Sequence, residues 1–149
     1  MKWTKNNSIK LSLACVIIFA AMMLAGDVFA YKWVSWLAGF HIDDANFTIK
    51  FMIVVYTSSV FGWICLYAMW QLLTNLLRGE VFTTANIKCM RIISWCCAGA
   101  AVIFAFGGLF YLPLFVVAIA AAFMMLIVRI VKNAFQQAGE MKSELDLTI

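Results

Sequence analysis

Charge is scarce in this chain, proline and histidine occur once each, and no stretch alternates polar with apolar residues. Of 149 residues, 12% are charged and 66% are hydrophobic. A soluble domain carries roughly a quarter charged residues. One this small has no interior able to hide so much apolar surface. The scarcity of charge therefore excludes a soluble globular domain. One Pro and eight Gly leave long stretches without a breaker, which favours helices. The missing alternation excludes a transmembrane β-barrel, whose strands read apolar outward and polar inward. A single His excludes a haem held by two histidines of one chain. Five Cys, an odd number, give no disulfide framework. Also missing are a nucleophile beside its base, a phosphate-cradling Gly loop and a paired-carboxylate site. The expectation is a protein that is not an enzyme and carries no cofactor and no metal.

What is present is four apolar runs, at about residues 9–30, 49–73, 92–110 and 112–131. About 20 apolar residues cross the hydrocarbon of a bilayer as a helix. The fold class is all-α: a polytopic membrane protein of one domain, four transmembrane helices forming two antiparallel hairpins. Its first partner is the lipid bilayer. Lys2, Lys5 and Lys10 before Leu11–Ala25 also suit a signal peptide, and Val28-Phe29-Ala30 resembles its cleavage site. The aromatic pattern that follows, Trp33, Trp36, Leu37 and Phe40, favours a retained first segment. Those rings suit the headgroup level and predict a short helix lying flat on the outer leaflet.

The middle of the chain holds one long polar stretch, the connector Arg78–Arg91. Gly79 reads as the left-handed residue that closes a helix. Thr83 reads as the N-cap of the next one, with Asn86 where Glu or Gln would complete a capping box. Phe82 and Ile87 hold the staple positions around it. Before it, Gln71, Thr74, Asn75 and Arg78 recur at helical spacing and make one polar stripe. After the fourth run the helical pattern does not stop. Phe135, Ala138, Met141 and Leu145 continue it at spacings of three and four, so the last helix is expected to extend beyond the membrane over 132–149. Between runs three and four, Tyr111-Leu112-Pro113 allows only a tight turn, with Pro113 in the first turn of a helix. Run three is rich in Ala and Gly, which lets helix backbones approach closely in lipid.

Net charge is +4, but its placement says more than its sum. Lys2, Lys5, Lys10, Arg78, Lys88, Arg91, Arg129, Lys132 and Lys142 fall on one side of a four-crossing topology. Lys32 and Lys50 fall on the other. Basic flanks stay cytoplasmic, so both termini, the connector and the tail are expected inside a bacterial inner membrane. Direct nucleic-acid binding is not expected.

The connector residues Arg78-Gly79-Glu80-Val81-Phe82-Thr83-Thr84-Ala85-Asn86 and the ending Met141-Lys142-Ser143-Glu144-Leu145-Asp146-Leu147-Thr148-Ile149 resemble the YoaS-like family of small bacterial four-helix membrane proteins. That family's ending reads Leu-Lys-x-Glu-Asn-Asp-Leu-Thr-Ile; here Met141 and Leu145 depart from it. Members are often encoded beside a Cro-like helix-turn-helix regulator. The resemblance thus implies a regulatory partner and transfers no catalytic residue.

The leading functional reading is a binding or regulatory protein with a cytoplasmic surface of Gln71, Asn75, Arg78, Phe82, Asn86, Phe135, Met141 and Leu145. The plainer reading is a well-built turn on which the tail stripe packs. Self-association is a further partner class. Alternatives are an immunity-type protein using Tyr31–Asp44 against a pore-forming toxin, and a small transporter or channel using Asp27. An ionisable group such as Asp27 is costly within lipid and often functional, although a place at the headgroup level near Lys32 explains it equally. His41, Asp43 and Asp44 are metal-ligand types, but capping of the following helix explains them more simply. Thr57, Ser58 and Ser59 are expected to bond within the helices. Cys15, Cys65, Cys89, Cys96 and Cys97 are expected to pack as free thiols.

Overall fold

A computed structural model describes residues 5–39 and 46–148 of the chain. Its four helices are α1 (Lys5–Ala38), α2 (Phe47–Leu77), α3 (Thr84–Gly107) and α4 (Pro113–Leu147). All four are long and apolar enough to cross a membrane, and large apolar side chains such as Ile17, Phe123 and Ile130 stand outward on them. Such a surface is tolerable only in lipid. The protein is an all-α, multi-pass membrane protein.

The starts of α2, α3 and α4 agree with the sequence reading, Pro113 in the first turn of α4 included. The end of α1 does not. No flat outer helix follows a first segment ending near Ala30. α1 continues unbroken to Ala38, and Trp33, Trp36 and Leu37 form its last turns. No Gly or Pro lies between Ala30 and Ala38, and extending an existing helix is cheap compared with starting a new one. Phe40, His41, Asp43 and Asp44 lie outside the described residues.

Each helix packs on the next. α1 lies on α2, α2 on α3 and α3 on α4, and among the described residues α1 packs on neither α3 nor α4. The contacts run in opposite chain directions, so neighbours are antiparallel. Met23 and Asp27 of α1 meet Gly62 and Ser59 of α2. Asn75, Phe61 and Val54 of α2 meet Asn86, Gly99 and Gly107 of α3. Ser94 of α3 donates to the Met125 carbonyl of α4 at 3.5 Å. The four-helix bundle is therefore open along the side between α1 and α4.

α2 and α3 each have neighbours on two sides, and α3 buries Cys89, Met90, Ile93, Ser94 and Cys96. Its small residues permit the close approach expected of them. A methyl group on Gly99 would lie 2.5 Å from the Phe61 ring, and one on Gly107 would lie 2.7 Å from Leu114. At one end of the bundle Phe47, Phe51, Phe110 and Tyr111 interlock, with ring centroids 5.6–6.4 Å apart. This ties the start of α2 to the α3–α4 turn. Toward the opposite end, Arg129 of α4 lies over the Trp95 ring of α3 at 6.0 Å.

Lengths decide what projects. α3 has 24 residues, about 36 Å of helix against about 30 Å of hydrocarbon. α4 has 35 residues, about 52 Å by the same rise per residue. The surplus of α4 lies in its polar C-terminal half, beyond Arg129.

Candidate functional site

The α2–α3 connection is built around one buried amide. Gly79 adopts φ +83° and reverses the chain after α2, and Glu80 N–H closes the end by donating to the Asn75 carbonyl at 3.1 Å. Asn86, in the first turn of α3, is fully buried. Its side-chain NH₂ donates to the carbonyls of Glu80 at 2.6 Å and Val81 at 2.9 Å. Its Oδ1 accepts from the Asn75 amide at 2.9 Å. Asn86 thus spends its side chain on holding the turn. It is removed from the expected partner surface because a buried amide is stable only when paired with its neighbours.

Thr83 sits at the N-cap with extended backbone, but its hydroxyl makes no capping bond. The Asn86 N–H that it would have accepted donates to the Thr83 backbone carbonyl at 3.0 Å. Thr83 Oγ1 is left buried without a partner.

Phe82 carries the turn onto the last helix. Its ring lies 5.7 Å from that of Phe135, and Gly139 of α4 lies beside Phe82. The tail stripe therefore divides. Phe135 packs on the connector, as the plainer sequence reading had it, whereas Met141 and Leu145 remain 59% and 66% exposed. Gln71 and Arg78 are also exposed. Of the eight residues expected to share a surface, the fold pairs Asn75 with Asn86 and Phe82 with Phe135. The other four stay at the periphery.

A second constellation lies deeper. Asp27 is level with Ser59 rather than at a helix end. It stands 11 residues before the end of α1, about 16 Å along the axis. Two neutral donors reach its Oδ2: Ser59 Oγ at 2.7 Å and Trp63 Nε1 at 3.0 Å. Tyr56 donates to its backbone carbonyl at 3.4 Å. Lys32, the expected neighbour, lies over the Phe29 ring instead, at 5.7 Å. Thr57 and Ser58 bond to carbonyls of their own helix, leaving Ser59 as the member of that trio that reaches across. The sequence reading missed Ser59 and Trp63 as partners of Asp27. Their spacing of four, which puts a hydroxyl and an indole N–H on one face of α2, was the available signal.

Asp27 also lines a groove of about 970 Å³ that draws on all four helices. α1 contributes Met23 and Val34, α2 Phe61, α3 Phe104 and α4 Met124. Cys65 of α2 and Cys97 of α3 lie on the same lining.

A family model described as "Protein of unknown function (DUF2975)" matches residues 12–149. The chain belongs to the DUF2975 family. The match takes in all four membrane helices from Ser12 onward, the connector and the tail, so the DUF2975 unit includes both the Asn86-centred turn and the exposed end of α4. No curated protein and no solved structure matches the chain.

Proposed function

We propose that this DUF2975 protein is a membrane-anchored binding protein rather than an enzyme, and that the exposed end of α4 docks a soluble partner. The supporting observation is the contrast within one helix face. Phe135 is held against Phe82, which fixes the direction in which α4 leaves the bundle. Two turns on, Met141 and Leu145 stand exposed at a spacing of four. An apolar pair on a rigidly mounted helix is the arrangement that helix-in-groove recognition uses. The basic flanks support a cytoplasmic location for this end in a bacterial cell, with both termini inside. The YoaS-like connector and ending point to a small helix-turn-helix regulator as the partner, held at the inner membrane.

Photocrosslinking groups placed at Met141 and Leu145 in native membranes test this reading. Crosslinks to one soluble protein, lost in the Leu145→Asp variant, support it. Crosslinks to lipid or to a second copy alone overturn it. Point changes serve better than deleting the tail from Phe135, because that deletion also strips Phe82 of its packing.

A further inference from the structure

We infer that the groove between α1 and α4 binds a membrane-partitioning organic cation, an apolar body whose positive charge is met by Asp27. The groove's lining includes neither Met141 nor Leu145, and the inference rests on none of that surface's properties.

Three observations carry it. First, the groove has the size of a small-molecule site. Its volume is about 970 Å³, at the upper end of the range of about 300–1,000 Å³ that ligand pockets occupy. Second, Asp27 is the only charged side chain among the described residues that line the groove. Both groups that donate to its carboxylate are neutral, and both go to Oδ2. Two hydrogen bonds orient the carboxylate without neutralising it, and an anion among apolar walls remains costly until a positive charge is brought to it. Third, α1 packs on α2 alone among the described residues. The bundle is therefore open between α1 and α4, and the groove is reached sideways from the bilayer. A ligand must dissolve in lipid to arrive and be cationic to stay.

The walls suit such a body. Phe51, Phe61 and Phe104 supply aromatic faces, and Met23, Met69 and Met124 supply adaptable thioethers. Ser59 and Trp63 act as positioning residues: they hold Oδ2 and leave Oδ1 for the ligand.

The test uses the full chain in nanodiscs of zwitterionic lipid, with three probes of nearly one shape. Tetraphenylphosphonium is the cation, tetraphenylborate the anion and tetraphenylmethane the neutral body. Saturable binding of the cation is expected, with no saturable binding of the other two. In Asp27→Asn, affinity for the cation should fall by about tenfold or more, since a desolvated charge pair has lost one member. That variant keeps an oxygen for Ser59 and Trp63, and an unchanged melting profile would confirm that it folds. Equal binding of the three probes, cation binding unaffected by Asp27→Asn, or no saturable cation binding by the wild type overturns the inference. In the first outcome the groove is a cleft for acyl chains. Exclusion of every probe by a dimer covering the groove likewise overturns it.

Discussion

The side-chain amide of Asn75, near the end of α2, donates to Oδ1 of Asn86, in the first turn of α3, at 2.9 Å. This bond joins the two halves of the protein across their polar turn. Asn86 then fixes the turn itself through the carbonyls of Glu80 and Val81. Replacing it leaves two carbonyls and one amide without partners.

Asn86→Ala is therefore expected to destabilise the protein by about 1–3 kcal/mol, the cost of buried polar groups left unpaired. Asn75→Ala should cost less, because it removes one bond of the three. Thermal unfolding in mild detergent measures both, and Asn86→Ala should show the larger drop in Tm.

Phe82 and Phe135 couple the connector to the tail. An aromatic pair of this kind contributes about 0.5–1.5 kcal/mol beyond its area. A double-mutant cycle with Phe82→Ala and Phe135→Ala should return a coupling energy of that order. In Phe135→Ala, a spin label at Gln137 should also gain mobility, as the tail loses its fixed direction.

Gly99 and Gly26 make a contrasting pair. A Cβ on Gly99 would lie 2.5 Å from Phe61, whereas one on Gly26 would meet nothing within 4 Å. Gly99→Val is expected to cost about 1–3 kcal/mol through overpacking. Gly26→Ala should be neutral or slightly stabilising, since Ala is the better helix former. Shortening the neighbour with Phe61→Leu should recover part of the loss in Gly99→Val, which a general intolerance of α3 to substitution would not allow.

The number of helices, the starts of α2, α3 and α4 and the reversal at Gly79 were legible in the sequence, because breakers and caps act locally. The extent of α1 was not. Trp33, Trp36 and Leu37 have helical spacing whether they continue a helix or begin a new one, and only the lack of Gly and Pro between Ala30 and Ala38 favoured continuation. Asn86 read as a flawed capping residue because its main partner, Asn75, is 11 residues away and meets it only once α2 and α3 pack. The opening between α1 and α4 was equally hidden. An apolar helix face suits lipid and protein alike, so its composition does not reveal which of the two covers it. Asp27 was visible as an unusual residue, but its pairing with Ser59 and Trp63 became plain only once α1 and α2 pack.

The proposed function rests on four crossings that leave the basic helix ends, and with them the exposed tail of α4, on the cytoplasmic side. Cysteine accessibility measures this directly. Single cysteines would be introduced as Leu112→Cys, in the exposed α3–α4 turn, and as Ser143→Cys, in the tail, each in a variant whose native cysteines are replaced by Ala. A membrane-impermeant maleimide applied to spheroplasts should label the site at 112 and leave the site at 143 untouched until the membrane is permeabilised. Labelling of the site at 143 from outside, or of both sites alike, would contradict the topology and the cytoplasmic docking surface built on it.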